Sequence, residues 1–261
     1  MDKDDQNRIQ MLAAERRERI LTTLQQGGRA FAAELSQALG VSDGTIRRDL
    51  DTLAELGALQ RVHGGAIRRL PFTEQFDVRQ TEHMDAKAAI ARATVPLLHP
   101  GQVILLDGGT TSLAIARHLP PDFKATVITT SPPIAVALAA YPDIEIILIG
   151  GRLYRYAMVA VGAETVARLQ AIRADVCIVG MLALHPTIGV SVLDYEEAQV
   201  KRAMMETAPL VVAPTLGEKL GTAAPFVVAP ASTVTHLVTE AEVASETLTP
   251  YRDMGMTVLQ G

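Results

Sequence analysis

Two short stretches of the chain combine residue types and spacings that could do chemistry. In "VSDGTIRRDL", residues 41–50, Arg47 and Arg48 stand together behind Ser42 and Thr45. Arginine's planar fork can reach a guanine edge or a phosphate, so this stretch points to nucleic acid. In "DGGTTS", residues 107–112, a carboxylate and two glycines run into a row of hydroxyls after an apolar segment. Amides at a helix start, together with the Thr110 and Thr111 hydroxyls, suit a phosphate, and Asp107 suits sugar hydroxyls. An ordinary strand-to-helix turn reads the same way, and Gly150 and Gly151 form a second turn with that ambiguity. Arg152 and Lys219 are candidate phosphate partners by charge, or plain surface residues.

The first stretch needs helices to present it. "ERRERILTTLQQG" puts Ile20, Leu21 and Leu24 on one helical face and stops at Gly27 and Gly28. "AFAAELSQALG" repeats the pattern with Phe31, Leu35 and Leu39 and closes at Gly40. Ser42 then caps a third helix whose Ile46, Leu50 and Leu53 face the other two, leaving Thr45, Arg47 and Arg48 to point elsewhere. Asp49 would repel a phosphate and is expected to pair with an arginine or to cap the fold. After Gly57 the period changes, and "ALQRVHGGAIRRL" reads as strand, Gly64-Gly65 turn and strand. Its arginines Arg61, Arg68 and Arg69 would hold backbone phosphates. Three helices and a basic hairpin make a winged helix-turn-helix.

Composition sets the limits. The 261-residue chain is 48% hydrophobic without tryptophan, so a sizeable core must come from Leu, Ile, Val, Ala and Met. The single cysteine, Cys177, excludes an internal disulfide and lies in an apolar run as a small core residue. The six histidines show no metal-binding spacing, so neither metal nor cofactor is expected. No apolar run reaches the ~18 residues of a membrane span. The polar start "MDKDDQNRIQ" is unlike a secretory signal, and a soluble cytoplasmic protein with no membrane partner is expected. Residues 8–70 carry ten arginines against seven acids, net +3, whereas residues 71–261 carry 13 basic and 19 acidic residues, net −6. A basic unit on an acidic body favours a polyanion partner for that unit alone.

The second stretch needs a sheet. Residues 71–88, polar and opened by Pro71, read as a linker running into a helix. Beyond them apolar runs of five or six residues alternate with amphipathic helices, from "QVILLDG" to "MTVLQ". That alternation predicts an α/β fold with a mainly parallel sheet covered on both faces. Ligands in such folds sit beyond the carboxyl ends of the strands. The segments "LLDGGTTS", "VITTSPP", "LIGGR" and "VVAPTLGEKLG" are singled out on that ground.

These residues resemble the DeoR family of bacterial transcription regulators. The matches in the first unit are Ser42, Thr45, Ile46, Arg47, Arg48, Asp49 and Leu50, then Gly57, Leu59, Arg61, His63, Gly64, Gly65 and Ala66. The resemblance implies a DNA-contacting surface made of Ser42, Thr45, Arg47, Arg48, Arg61, His63, Gly64 and Gly65. It extends over the large unit and implies a sugar-phosphate-sensing domain similar to ribose-phosphate isomerases and CoA transferases. Family markers there are Asp107, Gly109, Thr110 and Thr111, the pair Gly150 and Gly151, and a Glu-x-x-x-Lys-Arg helix with Glu197, Lys201 and Arg202. The Glu197–Lys201 spacing is i,i+4, so a helix-surface ion pair explains it as well as ligand contact does. The implied effector site comprises Asp107, Gly109, Thr110, Thr111, Thr130, Gly150, Gly151, Glu197, Lys201 and Lys219. Three positions depart from the family pattern. Thr130 replaces an Asn, Pro214 stands where an Ala-Asp-x-Ser-Lys segment has its Asp, and a glycine is missing after Gly180. The altered loops leave the effector's identity open.

The expected organisation is a winged helix-turn-helix over residues 1–70, a linker over 71–88 and an α/β effector-sensing domain over 89–261. The expected function is a homo-oligomeric repressor of carbohydrate catabolism genes, not an enzyme. It would bind double-stranded operator DNA and release it on binding a small phosphorylated sugar. The alternative is a sugar-phosphate isomerase or CoA-transferase-like enzyme fused to a DNA-binding module, with Asp107 as its acid/base group. Against it, no second catalytic carboxylate–lysine pair stands at a recognisable spacing, and the altered "APTLGEKLG" loop weakens an enzyme reading further.

Overall fold

The computed structural model describes residues 12–27, 29–55, 58–62, 64–68 and 75–261, divided into the units Met1–Leu70 and Pro71–Gly261. Gly28, Gly57, His63, Arg69 and Pro71 lie outside the described residues.

The first unit contains α1 (Ala13–Gly27), β1 (Arg29–Phe31), α2 (Ala32–Leu39), α3 (Asp43–Glu55), β2 (Leu59–Val62) and β3 (Gly65–Arg68). Ile20 and Leu24 from α1, Leu35 from α2 and Ile46, Leu50 and Leu53 from α3 meet in one core, as the helical spacing requires. Between α2 and α3 the chain turns at Gly40, whose φ of 65° ends α2, and Ser42 Oγ accepts from the Thr45 amide at 3.2 Å to start α3. Asp49 is buried and joins two helices, taking Arg16 Nε at 2.5 Å and Arg17 Nε at 3.1 Å from α1. The expected pairing of this carboxylate with arginine is found, and it turns Asp49 away from the outward face of α3.

The reading of Phe31 as a core residue of α2 is corrected. Residues 29–31 form an edge strand, so the wing is a three-stranded sheet in the order β1-β3-β2. Strand alternation buries Ala30 and leaves Phe31 41% exposed. The register sets Phe31 against Gly65, and a Cβ built on Gly65 would stand 2.1 Å from the Ala30 carbonyl oxygen. Gly64 before it has φ 79°, as a tight hairpin turn requires.

The second unit runs α4 (Phe76–Thr81), α5 (Met84–Thr94), β4 (Val103–Leu106), α6 (Thr110–His118), β5 (Ala125–Thr129), α7 (Pro132–Leu138) and β6 (Ile144–Leu148). It continues through β7 (Arg152–Tyr154), β8 (Val159–Val161), α8 (Ala163–Gln170), β9 (Val176–Ile178), β10 (Ala183–His185), β11 (Gly189–Val192) and α9 (Tyr195–Met205). It ends with β12 (Leu210–Pro214), β13 (Phe226–Ala229), β14 (His236–Thr239), α10 (Ser245–Asp253) and β15 (Thr257–Gln260). Seven strands form a parallel sheet in the order β15-β14-β12-β9-β4-β5-β6. Its strands are apolar runs because helices cover it, and Ile104, Leu106, Val127, Val176, Ile178, Val212 and Val238 share one core.

Two smaller sheets were not foreseen: the β7–β8 hairpin and an antiparallel β10-β11-β13 sheet. Their strands have only three or four residues, too short for a period of two to register. The linker reading of 71–88 is also corrected. Residues 76–81 form α4 and 84–88 open α5, and Phe76, Arg79 and Lys87 are buried within the large unit.

The wing geometry makes a test. Gly65→Ala forces a Cβ against main chain that cannot move aside, and should destabilise the first unit by about 1–3 kcal/mol. Gly64→Val imposes an unfavourable φ in open space and should perturb the wing less. In the full chain, both variants should lose DNA affinity in that order, while the thermal transition of the large unit stays in place. A shift of both transitions together is the contrary outcome.

Candidate functional site

On the first unit, α3 presents a polar face. The Arg47 side chain is 66% exposed and lies 3.9 Å from Asp43, a loose i,i+4 pair, and Arg48 is exposed beside it. Thr45 Oγ1 sits 2.9 Å from Ser42 Oγ, so both hydroxyls belong to the cap at the start of this face. Arg61, expected at a phosphate, is engaged within the unit. Its Nε meets Asp51 at 2.9 Å and its Nη1 donates to the Gly65 carbonyl at 2.7 Å, tying the wing to α3.

On the second unit, strand order locates the site. From β4 the chain steps to β5 and β6 on one side, then returns across the sheet to β9, β12, β14 and β15 on the other. Loops leaving β4 and β9 therefore diverge, and such a switch point opens a crevice at the strand ends. Asp107 follows β4 and Gly180 follows β9. The Asp107 carboxylate accepts from the Gly108 amide at 2.7 Å, from the Gly180 amide at 2.9 Å and from Lys201 Nζ at 2.5 Å. Only glycine fits at 180, since a Cβ there would meet the Gly108 carbonyl oxygen at 2.4 Å.

Lys201 Nζ also lies 3.3 Å from Glu197 Oε1, and all three side chains of this network are buried. Burial works to lower the Lys201 pKa, but Asp107 and Glu197 outweigh it and the net shift is upward. Burial raises the Glu197 pKa, with Lys201 opposing and Asp107 reinforcing the rise.

The crevice encloses about 500 Å³ of unfilled space, part of it open solvent. Its lining includes Gly109, Thr110, Thr111 and Ser112 at the start of α6, Glu197 and Lys201 of α9, and Lys219 after β12. The first helical bond of α6 runs from the Leu113 amide to the Gly109 carbonyl at 3.0 Å, so the amides of residues 110–112 precede it. Ser112 Oγ is buried with no hydrogen-bond partner among the described residues. Arg79 of α4 completes the lining. Its guanidinium lies 4.3 Å over the Tyr156 ring, and it donates to the Tyr156 carbonyl. Lys219 Nζ donates to the Met181 carbonyl at 3.1 Å. Burial, then Arg79 and Lys87, pull the Lys219 pKa down to about 7.

The structure thus gathers Gly109, Thr110, Thr111, Glu197, Lys201 and Lys219 at one crevice and places Asp107 directly behind it. Asp107 itself is turned inward, its carboxylate taken up by the Gly108 and Gly180 amides and by Lys201 and not exposed at the crevice. The surface reading of the Glu197–Lys201 pair is corrected, because α9 packs this face inward. Thr130, Gly150 and Gly151 are not part of the crevice. The Thr130 carbonyl accepts from the Ala160 amide at 2.8 Å, and the Gly150 carbonyl accepts from Thr165 Oγ1 at 3.0 Å, so both turns support neighbouring elements. Arg152 pairs with Glu196 on the surface, and Arg202 holds the Val227 and Val228 carbonyls of β13. Sequence reasoning missed Arg79 and Tyr156. The buried Phe76 three residues before Arg79 was the available helical signal.

Among the described residues no group of His, Cys, Asp or Glu could hold a metal ion, and no helix is long and apolar enough to cross a membrane. Cys177 is buried, and burial pushes its thiol pKa up, which leaves it an unreactive core residue.

The buried network yields two expected outcomes. Lys201→Met leaves two carboxylates without their cation and should destabilise the large unit by about 3–5 kcal/mol, read by urea unfolding. Because the Glu197 pKa is raised, the folded unit holds that proton more tightly than the unfolded chain does. Its contribution to stability therefore falls as pH rises from about 4.5 through the folded value. Glu197→Gln cannot titrate and should flatten that part of the stability profile; an unchanged slope would assign it to another group.

Comparison with known proteins agrees with this geometry. Residues 16–69 match the DeoR-like helix-turn-helix domain, and residues 82–241 match the DeoR C terminal sensor domain. The chain is 31% identical over 256 residues to the HTH-type transcriptional regulator GlpR of Haloferax volcanii, covering 96% of this chain and 99% of the relative. It is 32% identical over 234 residues to the HTH-type transcriptional repressor GlcR of Bacillus subtilis, covering 88% of this chain and 89% of the relative. Among solved structures, ribose 5-phosphate isomerase A of Methanocaldococcus jannaschii is similar at 18% identity and TM-score 0.36, over 52% of each chain, too distant to bear on activity. The fused-enzyme alternative finds no support among these curated relatives, which are named as regulators. The chain belongs to the DeoR family of DNA-binding transcriptional regulators.

Proposed function

We propose that this regulator is a repressor whose hold on its operator is released when a phosphorylated sugar fills the crevice of the large unit. The observation that carries the reading is the start of α6. The buried Ser112 hydroxyl, the Thr110 and Thr111 hydroxyls and the first-turn amides face the same space as Arg79 and Lys219. A helix N-terminus with its positive dipole end and two cations suits a phosphate, while Glu197 and the Lys201 ammonium suit sugar hydroxyls at the other end. A relative named as a glycerol-3-phosphate regulon repressor in Haemophilus influenzae lends support to a small phosphorylated effector.

On the DNA side, Arg47 and Arg48 are the residues for base edges or phosphates in the major groove, with Ser42 and Thr45 setting the start of α3 and Gly64 the wing turn. A homo-oligomer is part of the proposal, because two copies would present two winged units to paired half-sites and multiply a modest affinity. Effector binding need only favour an arrangement of copies whose winged units no longer match the half-site spacing.

Two measurements test the reading. Duplexes selected from a random pool by the full chain should bind Arg47→Ala and Arg48→Ala more weakly. A lost bidentate base contact costs about 1–3 kcal/mol, and a lost phosphate contact lowers the salt slope by about one unit. Unchanged affinity and slope in both folded variants would remove α3 from the interface. Phosphorylated sugars, screened against unphosphorylated ones by thermal shift, should stabilise the chain and release the selected duplex. Thr110→Val and Arg79→Met should weaken such ligands by about tenfold to a hundredfold. Stabilisation by unphosphorylated sugars alone would overturn the effector class.

A further inference from the structure

We infer that two copies of the chain join edge to edge through β6, antiparallel about a two-fold axis, so that the parallel sheet of one copy runs on into that of the other. This rests on the homo-oligomer proposed above and adds the surface that makes it.

The two margins of the seven-stranded sheet are finished differently. At one margin β15 shows Thr257 and Gln260 to solvent. Gln260 Nε2 donates to the Ala241 and Val243 carbonyls at 3.0 and 3.1 Å, and the Ala241 amide donates to the Gly261 carbonyl at 3.0 Å. Polar side chains and a tethered loop keep a further strand away from such a margin. At the other margin β6 reads Ile-Glu-Ile-Ile-Leu, with no lysine, proline or glycine to blunt it. It pairs with β5 on one side, and among the described residues no strand pairs with it on the other. Ile147 is 42% exposed and Leu148 50% exposed, and α7, packed on β6, leaves Val136 76% exposed. The one charge of the strand does not guard the edge. Glu145 Oε2 accepts from Thr126 Oγ1 of β5 at 3.1 Å, which draws the carboxylate back over the sheet. An open edge of this kind is completed by another extended strand, and its apolar side chains call for an apolar one.

Charge and symmetry identify that strand as β6 of a second copy. Asp143 and Glu145 stand at the start of β6, and Lys124, 4.0 Å from Asp143, offsets one of them. Arg152 and Arg155 follow its end, and Glu196 offsets Arg152. The start is thus net acidic and the end net basic. Antiparallel self-pairing sets unlike charge against unlike, whereas parallel self-pairing sets like against like. The contact closes at two copies, because each chain has one β6 to offer. A two-fold axis normal to the sheet puts one residue opposite its own copy. With Ile146 or Ile147 at that point Glu145 stays clear of its copy; with Glu145 there, two carboxylates meet.

Sedimentation of the full chain over a range of concentrations tests the pairing. Wild type should sediment as two copies or an even multiple. Ile147→Glu and Leu148→Glu bring a carboxylate to the joint and should each halve that mass at the same concentration. Both side chains lie at the surface, so the variants should still unfold cooperatively. Tyr195→Glu, at an exposed aromatic pair with Phe226 on α9 and β13, should leave the mass unchanged. Cysteine placement reads the orientation, since the native Cys177 is buried. A short bismaleimide should join copies carrying Ile147→Cys. It should not join copies carrying Asp143→Cys, which an antiparallel pair holds about 20 Å apart. Equal joining at both positions makes the pairing parallel and overturns the inference. An assembly unaffected by both β6 variants, or halved by Tyr195→Glu instead, overturns it too and leaves the homo-oligomer reading standing. A wild type that sediments as a single chain at every concentration sinks both.

Discussion

The large unit is organised around one buried ion network, the Lys201 ammonium held between Asp107 and Glu197. Asp107 follows β4, Gly180 lies in the loop after β9, and Lys201 belongs to α9, so one carboxylate joins three elements where the strand order reverses. A buried ion pair adds little net stability over a well-packed apolar substitute, but removing one partner strands a charge in the interior. Its structural effect here is positional. With the β4 and β9 ends fixed to α9, the first turn of α6 has a set direction, and the crevice receives Thr110, Thr111 and Ser112 from one side and Glu197 from the other.

Cationic residues in the two units meet opposite fates, and the contrast follows from burial. Arg47 and Arg48 remain exposed on α3, where a strongly solvated charge costs little and stays available to a polyanion. Arg16 and Arg17 lie on α1 and hold Asp49, so the carboxylate that would repel phosphate becomes the clamp that orients α3. In the large unit, Arg79 and Lys87 are buried and border a cavity together with the half-buried Lys219. There burial, together with the nearby Arg79, works against the charged forms of Lys87 and Lys219. The first arrangement presents charge at a surface, and the second gathers it around a cavity.

The first unit was readable from local pattern. Helix spacing gave the core of Ile20, Leu24, Leu35, Ile46, Leu50 and Leu53, and the Gly64-Gly65 pair gave the wing turn, because each depends on residues close along the chain. Phe31 was misread because a three-residue strand has no period of its own and takes its conformation from β3 across the sheet. In the large unit the apolar runs marked the parallel strands for the same reason that Phe76, Arg79 and Lys87 escaped notice. Long buried strands are apolar throughout, whereas a polar helical stretch looks like a linker until something covers it.

The candidate site divides along the same line. The sequence alone determined the elements: the turn at residues 107–112 between a strand and a helix, the i,i+4 spacing of Glu197 and Lys201, and the two adjacent arginines on a capped helix. Periodicity and turn chemistry act over a few residues and leave their mark in the chain order. Which side chains meet across 94 positions, as Asp107 and Lys201 do, was decided by the tertiary structure. So was the inward turn of Asp107, the exclusion of Gly150 and Gly151 from the crevice, and the arrival of Arg79 over Tyr156. These depend on strand order and on which face of α9 is covered. Both are set by how the helices pack on the sheet, and no local spacing encodes them.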